Sequence, residues 1–303
     1  MADRGLGRLA RLLDEGAFVV TGELVPPRSP DAELVRQAAR RLRGLVDAVN
    51  VTDNATARVG MSPLAAGALV LAEGLEPVLQ LTCRDRNRLA LAADLLGAHA
   101  LGVRSVLCLS GDPLEVGPFA KQGAKAVFDV DAIGLIRLAE GLGRGLGPDG
   151  SRFDPPAGFL VGAAEAPGAD PSEGARLAAK ADAGARFTQT QPVYDPVAFA
   201  GWLKHLAARG LPERVAILAG VLPPRSAAQL ERFAALPGWS VPPATIARLR
   251  AARDQAAEGV AIAAEMVAAL RELPGIRGIH LMGVGPDSGV PEVIEQAGLL
   301  PRP

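Results

Sequence analysis

The stretch Phe18-Val-Val-Thr-Gly-Glu-Leu-Val-Pro-Pro-Arg28 ends an apolar run with a carboxylate, Glu23, and then stops the chain's extended course with two prolines. Such a run predicts a buried strand that ends near Leu24. Glu23 then lies at the carboxyl end of the first strand, where α/β barrels carry their chemistry. Taken alone, the acid is more simply interpreted as one that solvates the turn. The rest of the chain decides between these interpretations.

The same rhythm, a short β-branched run followed by a longer segment of helical periodicity, repeats from end to end. Strands are predicted at Phe18–Leu24, Ala48–Thr52, Pro77–Thr82, Ser105–Leu109, Gly158–Ala164, Ala185–Gln191, Val215–Leu222 and Gly278–Val284. Helices are predicted at Pro30–Leu42, Ser62–Ala72, Arg86–Ala100, Asp131–Gly141, Ser172–Ala183, Pro196–Ala208, Ala227–Ala235 and Thr245–Leu273. Eight strand-helix units predict one (β/α)8 barrel domain over residues 1–303. A doubly wound parallel sheet shares this local rhythm and is the structural alternative.

Composition excludes several classes of function. The chain has 32 Lys and Arg against 33 Asp and Glu, so nothing in its charge favours nucleic acid. With no leader pattern and no apolar run of spanning length, we expect a cytoplasmic protein without a membrane segment. Cys83 and Cys108 lie in strand-like runs and are predicted to be buried thiols. The three histidines show no ligand spacing, so no metal site is expected.

Polar clusters follow several predicted strands, which is unusual in so apolar a chain. They occupy Asn50–Asn54, Gln80–Asp85, Ser110–Asp112 and Gln189–Gln191. If the barrel is correct, all four clusters converge on one rim and form a site there. Each cluster also has a simpler interpretation, because Asp53, Asn54 and Asp85 suit turns or helix caps and Gly111-Asp112-Pro113 suits a turn.

The ordered set of motifs resembles the methylenetetrahydrofolate reductase family, flavoproteins built on a (β/α)8 barrel, over nearly the whole chain. The matching motifs are Glu23 with Pro26-Pro27, Val51-Thr52, Leu81-Thr82-Cys83, Gly111-Asp112, Lys180 with Asp182-Ala183-Gly184-Ala185, Thr190-Gln191 and Gly220-Val221-Leu222-Pro223. Longer matches at Asp47–Asn54, Thr82–Arg88 and the tail from Gly278 resemble the branch found in acetogens and other anaerobes or thermophiles. Some members of that branch work with a separate redox subunit.

The resemblance implies a reaction and a role for Glu23. The reaction is the reduction of 5,10-methylenetetrahydrofolate to 5-methyltetrahydrofolate by hydride from reduced FAD, with the flavin and folate sites at the carboxyl end of the strands. Glu23 matches the family's general acid, which protonates the departing nitrogen so that the methylene bridge opens to an iminium. A carboxyl shielded from water keeps its proton to higher pH, as such an acid must.

The resemblance also implies the binding residues. Gln191 matches the residue that hydrogen-bonds the pterin, and Asp112 matches one that lies near both folate and flavin. Phe233 matches an aromatic residue that packs on the folate's benzoyl ring or on nicotinamide, although an ordinary core phenylalanine fits it equally well. The cofactor-binding positions are Thr52, Gln80, Ser110, Gly111, Asp112, Glu173 and Lys180, with Lys180 opposite the diphosphate and Glu173 near the adenosine. A solvated helix cation is the simpler interpretation of Lys180.

Several positions depart from the enterobacterial pattern of the family. Gln80 and Ser110 stand where that pattern has a histidine and an arginine, a tyrosine near Glu165 is missing, and Pro192-Val193-Tyr194 replaces a phenylalanine-rich stretch. These changes leave the electron donor open between NADH, NADPH and a redox partner protein. Two alternatives therefore remain. One is a folate-binding barrel that moves a methyl or methylene group without redox chemistry or bound flavin, and the other is a non-catalytic or partner-dependent subunit of a larger redox complex. We also expect a homo-oligomer.

Overall fold

Eight parallel strands pair in chain order, and the last strand pairs with the first. The computed structural model describes residues 6–167, 172–235, 239–283 and 288–303, with residues 172 and 173 described in their backbone only. Its strands are β1 (Val19–Leu24), β2 (Ala48–Val51), β3 (Pro77–Thr82), β4 (Ser105–Leu109), β5 (Leu160–Glu165), β6 (Phe187–Pro192), β7 (Ala216–Val221) and β8 (Ile276–Leu281). The closed barrel confirms the predicted (β/α)8 fold and excludes the doubly wound sheet.

Helices surround this barrel. They are α1 (Arg8–Asp14), α2 (Ala32–Leu42), α3 (Pro63–Ala72), α4 (Arg88–Ala100), α5 (Ala132–Leu142), α6 (Ser172–Ala183), α7 (Pro196–Ala207), α8 (Ala227–Ala234), α9 (Pro243–Ala251), α10 (Gln255–Arg271) and α11 (Val290–Gln296). The prediction of one helix over Thr245–Leu273 is wrong. The carboxylate of Asp254 accepts the N–H groups of Ala256 and Ala257 and so begins a new helix.

Side-chain caps set the beginnings of most helices. Each capping oxygen accepts a backbone N–H from the first turn, which satisfies a donor that has no partner within the helix. The capping residues are Asp31, Ser62, Asn87, Asp131, Asp195, Ser226 and Asp254. The side chains of Asp53, Asn54 and Asp85 bond elsewhere, so the helix-cap interpretation of these three is wrong.

The barrel interior is apolar at its amino end and polar toward its carboxyl end. The lower part is filled by Val19, Ala48, Val78, Leu107, Leu160, Phe187 and Leu218. Helix α1, which the sequence prediction missed, packs Leu9 and Leu13 against this cluster and closes the lower end. Because side chains alternate along a strand, the inward positions two and four residues further on lie at the upper end of the barrel.

One long insertion, which contains α8 and α9, extends from the carboxyl face of the barrel. Helices α8 and α9 lie between β7 and α10, and it is α10 that packs on β7 and β8. A small separate core holds this insertion to the barrel and consists of Tyr194, Ala227, Leu230, Leu249 and Ile262. Within the described ranges, no helix has both the length and the apolar character needed to cross a membrane.

Candidate active site

A polar network fills the upper interior of the barrel, where an apolar core would be expected. The amides of Asn50 and Gln189 bond reciprocally, with Nδ2–Oε1 at 2.6 Å and Nε2–Oδ1 at 3.0 Å. Gln189 Nε2 also donates to Thr21 Oγ1 at 3.2 Å, and Thr21 Oγ1 lies 2.9 Å from His280 Nδ1. All four side chains are at most 3% exposed. A buried network with every member paired is rigid and fixes the groups at its ends.

Glu23 lies at the upper end of this network. Its Oε2 is 3.8 Å from Nε2 of His280, and the Glu23 side chain is 20% exposed while that of His280 is 2% exposed. The carboxylate therefore faces the open mouth of the barrel on one side and a buried imidazole on the other. Catalytic contacts are often longer than hydrogen bonds before substrate binds and shorten in the complex. The arrangement suits a proton donor with a fixed, buried partner behind it.

A buried arginine joins three of the loops at the mouth. Arg84 is 1% exposed and makes a two-pronged ion pair with Asp85, both bonds at 2.7 Å. Its remaining donors reach the backbone carbonyls of Asp112 and Asn54, each at 3.1 Å. Although burial acts in the opposite direction, the bonds from Arg84 and Asn54 hold the pKa of Asp85 below its ordinary value. Arg84 thus ties the loops after β2, β3 and β4 together.

The turn after β2 is locally strained and is held by Asp112. Asn54, Thr56 and Ala57 all have positive φ angles of 46°, 53° and 51°, a region that costs energy for residues with a Cβ. Asp112 Oδ2 accepts the backbone N–H of Thr56 at 2.9 Å. Strain of this kind persists only where the surroundings enforce it, as at functional sites. Asp112 itself is exposed.

Asp53 and Arg86 form a second, deeper ion pair beside the pair of Arg84 and Asp85. Asp53 accepts the backbone N–H of Thr82 at 2.7 Å and its hydroxyl at 2.9 Å, and it contacts the Arg86 guanidinium. Burial raises the pKa of Asp53 above its ordinary value, against the opposing charge of Arg86. Both Asp53 Oδ1 and Thr52 Oγ1 are buried and lack a hydrogen-bond partner among the described residues. Buried polar atoms without partners mark a place where a further polar group fits.

On the other side of the mouth, Lys180 has a protein partner. Its ammonium lies 2.7 Å from Glu165 Oε1 and 2.6 Å from the carbonyl oxygen of Ala164. The two side chains are 15% and 2% exposed, so this is a largely buried pair at the carboxyl end of β5. An ammonium has three donors, and these contacts use two. Glu173 lies in the first turn of α6, and its side chain is outside the described part of the structure.

The loop after β6 begins with an irregularity. The β6 and β7 register shifts between Gln189 and Pro192, so Gln191 lies at a bulge, half-buried at the strand end. Bulges beside active sites re-aim side chains. The following Tyr194 is 5% exposed, and its hydroxyl donates to the carbonyl of Leu222 at 2.9 Å. Burial raises the pKa of Tyr194. This tyrosine therefore holds loops together and offers no free ring face.

Phe233 lies on α8, in the insertion above the barrel. Its ring packs against Trp239, with centroids 4.8 Å apart and planes inclined by 31°. Both rings are half-buried, and Trp239 also packs against the insertion's small core. Phe233 is not one of the buried residues of the core, so one face of this aromatic pair remains at the surface.

The remaining positions singled out in the sequence lie along the same rim. Gln80 is 9% exposed on β3, two residues beyond the interior Val78, so its side chain faces the upper barrel. Ser110 and Gly111 follow β4, and Gly111 has φ +94°; a Cβ there would meet Thr82 at 3.0 Å. Glycine is thus required for the turn that carries Asp112 to the mouth.

Sequence reasoning placed Asn50 and Gln189 in the polar clusters of the rim, but it missed Thr21, His280 and the bonds that join all four beneath Glu23. Thr21 lies two residues before Glu23, and Asn50 lies two before Thr52, so strand alternation alone places each on the inward face. His280 and Gln189 occupy inward positions of β8 and β6. Polar residues at inward barrel positions were the available signal. Arg84 left no such signal, because an arginine in a loop is ordinarily exposed.

Comparison with known proteins supplies the family. A family model described as methylenetetrahydrofolate reductase matches residues 8–298. The chain is 26% identical over 307 aligned residues to "Probable methylenetetrahydrofolate reductase (NADPH)" of Caenorhabditis elegans, covering 96% of this chain and 44% of that protein. It is 26% identical over 231 residues to "Methylenetetrahydrofolate reductase 1" of Schizosaccharomyces pombe, covering 75% and 36% respectively. The chain thus spans less than half the length of these curated relatives.

A solved structure shares the architecture. A protein from Clostridium thermocellum, described as binding two copies of 5-methyl-5,6,7,8-tetrahydrofolic acid, superposes with a TM-score of 0.70 at 14% sequence identity. The alignment covers 97% of this chain and 100% of that one. At this identity the likeness concerns the fold. The family match over residues 8–298 is what assigns the chain, which belongs to the methylenetetrahydrofolate reductase family.

Proposed function

We propose that the chain reduces 5,10-methylenetetrahydrofolate to 5-methyltetrahydrofolate, with reduced FAD as the hydride donor and Glu23 as the general acid. The observation that carries the proposal is the position of Glu23, 3.8 Å from a buried histidine and open to the mouth of the barrel. A carboxylate that only solvated a turn would have no need of the four-residue network beneath it. Family membership supports the choice of substrate.

Glu23 moves a proton in this proposal. The carbon–nitrogen bond between the bridging methylene and N10 breaks, N10 takes the proton of Glu23, and the methylene remains on N5 as an iminium. Glu23 is then an anion beside Nε2 of His280, which can donate to it. Thr21 holds Nδ1 on the other side of the ring and so keeps the imidazole in place. General acids of this kind contribute rate factors of about 10²–10⁴.

In this proposal, residues on the other side of the mouth bind the folate. Gln191 offers an amide donor and acceptor together, as a pterin edge requires. The half-exposed Phe233 and Trp239 pair offers an aromatic surface for the benzoyl ring. Binding of 5-methyltetrahydrofolate by the Clostridium thermocellum protein of the same fold supports a folate ligand.

Thr52, Gln80, Ser110, Gly111 and Asp112 would hold the flavin, whose bound reduced form supplies hydride. The fit is good at this end, because Thr52 Oγ1 is buried and without a protein partner. At the diphosphate end, Lys180 has one donor left beyond Glu165 and Ala164. Glu173 is proposed near the adenosine.

The electron donor is proposed to be NADH, NADPH or a separate redox subunit. Tyr194 stands where the family has phenylalanines, and its ring is enclosed and its hydroxyl bonded. Nicotinamide stacking at that position therefore has no support. A redox partner protein fits this arrangement better than direct use of nicotinamide does.

One observation favours a second candidate function. Because Lys180 already neutralises the buried Glu165, the site presents less free positive charge to a diphosphate than the family pattern implies. A folate-binding barrel without flavin, serving as a subunit of a larger redox or methyl-transfer complex, fits this feature.

The test is a flavin and folate titration with a matched variant. Purified protein is loaded with FAD, reduced chemically without oxygen, and mixed with methylenetetrahydrofolate while the flavin absorbance is followed. We expect reoxidation with formation of 5-methyltetrahydrofolate, and about a 10²–10⁴-fold slower reaction in Glu23→Gln. Glu295→Gln, an exposed acid on α11, is the control and should react as the native protein does. Absence of flavin binding would favour the second candidate.

A further inference from the structure

The amide pair of Asn50 and Gln189 is unusual in its place in the barrel. Strands β2 and β6 lie four positions apart in an eight-stranded barrel, so the pair spans the barrel across its axis. The two side chains are 0% and 3% exposed. Burying two amides costs free energy that their reciprocal bonds offset, whereas apolar residues would fill the space without this cost. The pair calls for an explanation beyond packing.

The pair is connected to the proposed acid through a single path. Gln189 uses one amide hydrogen for Asn50 and the other for Thr21 Oγ1. Thr21 Oγ1 has one hydrogen of its own and two acceptors within reach, Nδ1 of His280 at 2.9 Å and the carbonyl of Ile279 at 3.3 Å. At 3.3 Å the contact to Ile279 is longer than an ordinary O–H···O hydrogen bond, so we assign the hydrogen to the contact with Nδ1 of His280.

The protonation of the His280 ring follows from these contacts. A ring nitrogen that accepts from Thr21 carries no hydrogen, so the neutral ring carries its hydrogen on the other nitrogen, Nε2. Nε2 faces Oε2 of Glu23, a carboxyl oxygen that can accept its hydrogen. This is the tautomer in which both ring nitrogens meet a complementary partner.

We infer that Asn50 and Gln189 are positioning residues which, through Thr21, hold His280 with its hydrogen on Nε2 and directed at Glu23. The inference rests on the proposed role of Glu23 for its kinetic consequence only. Gln189 directs its amide hydrogen at Thr21 because Asn50 fixes the orientation of that amide. Without the Gln189 donor, Thr21 Oγ1 is no longer held at its present distance from the Ile279 carbonyl and has both lone pairs free. It can then donate its hydrogen to Ile279 and accept from Nδ1, so His280 carries its hydrogen on Nδ1.

The tautomer is measurable without substrate or cofactor. Protein with ¹⁵N-labelled histidine has three imidazoles, and substitution of His99 and His205 assigns the signals of His280. In the native protein we expect the hydrogen on Nε2. In Gln189→Met, which keeps the length of the side chain without its polar group, we expect it on Nδ1. In Gln189→Glu the introduced carboxylate accepts from Thr21, and the same switch to Nδ1 is expected even if the methionine variant does not fold.

A neighbouring residue provides the control. Thr188 precedes Gln189 on β6, is equally buried, and bonds outward to the carbonyl of Ala163. Thr188→Val therefore perturbs the same strand on its other face and should leave the His280 signals unchanged. A native His280 with its hydrogen on Nδ1, or a tautomer that does not respond to either Gln189 substitution, would overturn the inference whatever reaction the protein catalyses.

Kinetics separate positioning from general damage. In the half-reaction of reduced flavoprotein with methylenetetrahydrofolate, Gln189→Met is expected to lower the limiting rate about tenfold, a part of the full effect of a general acid, with the folate concentration at half-saturation unchanged. In a Glu23→Gln background the same substitution should have no further effect, since its path ends at Glu23. An equal loss in both backgrounds would mean that the pair acts on packing and would refute the positioning role. If no folate reaction occurs in the native protein, the proposed function is wrong, whereas the tautomer measurement still tests the inference about Asn50 and Gln189 independently.

Discussion

The buried guanidinium of Arg84 supports the loops at the mouth, and Arg84→Met tests how much. The substitution keeps an apolar side chain of similar length while it removes four hydrogen bonds, two to Asp85 and one each to the carbonyls of Asn54 and Asp112. Breaking a buried ion pair costs about 3–5 kcal/mol because the remaining charge loses its partner. The Asp85 side chain is 28% exposed, so water replaces part of what it loses. We therefore expect a loss of about 2–4 kcal/mol in the free energy of unfolding.

The assay is urea unfolding of the protein without ligands, with the slope of the transition compared between variants so that a shift in midpoint reports stability. Arg88→Met is the matched control. Arg88 pairs with Asp129 on the same stretch of chain, but its side chain is 56% exposed, so its loss should leave the midpoint of unfolding nearly unchanged. Arg84→Lys should be intermediate, since an ammonium cannot satisfy the planar fork of contacts.

If the proposed flavin site is correct, Arg84→Met should also weaken FAD binding, because two of the Arg84 contacts hold the turns that carry Asn54 and Asp112. We expect the dissociation constant for FAD to rise about tenfold, which corresponds to about 1.4 kcal/mol. If Arg84→Met were as stable as Arg88→Met, this expectation would be refuted, since water or other groups would then replace the hydrogen bonds of Arg84.

Three further predictions concern single positions. In the native protein Cys83 and Cys108 should react with a thiol reagent about 10³-fold more slowly than in denaturant at the same pH. The reason is that burial raises the pKa of Cys83 from 9.0 to about 12 and also raises the pKa of Cys108. Equal rates in the two conditions would contradict this prediction. Gly162→Ala should cost about 1–3 kcal/mol, since the new Cβ would clash with the ring of Phe187, and Phe187→Leu should restore most of the loss in the double variant. Denaturant unfolding that shows neither effect would be inconsistent with this packing. Lys180→Met should destabilise the protein without ligands by about 2–4 kcal/mol, because its partner carboxylate, Glu165 on β5, is buried. If Lys180 served only the cofactor, the substitution would weaken FAD binding and leave the free energy of unfolding unchanged.

The barrel was predictable from the sequence because its strands are short apolar runs and its helices have the expected period. The errors of the prediction lie at the amino end of the chain and in the segment between β7 and β8. Helix α1 is a single short helix that packs on the lower end of the barrel, a tertiary contact that local periodicity does not show. The predicted helix over Thr245–Leu273 is two helices, and the break was readable from Asp254, a strong capping residue inside an otherwise continuous apolar pattern.

The site was only partly predictable. Motif order located Glu23, Thr52 and Asp112 on one rim, since each lies at the carboxyl end of a strand or just beyond it. The contacts of Lys180 and His280 join segments far apart in sequence, and their partners depend on the register of the closed barrel. Single-sequence reasoning places residues on faces and strand ends, but it does not determine which two side chains meet across the barrel.

The most direct test of the central claim is one turnover of the flavoprotein with its proposed substrate. FAD-loaded protein is photoreduced without oxygen and mixed with methylenetetrahydrofolate, and both the flavin spectrum and the folate product are recorded. We expect the oxidised flavin spectrum to return and one 5-methyltetrahydrofolate to form per flavin, with both signals slowed together in Glu23→Gln. Flavin that stays reduced in the presence of bound folate, or reoxidation at the same rate in Glu23→Gln, would contradict it.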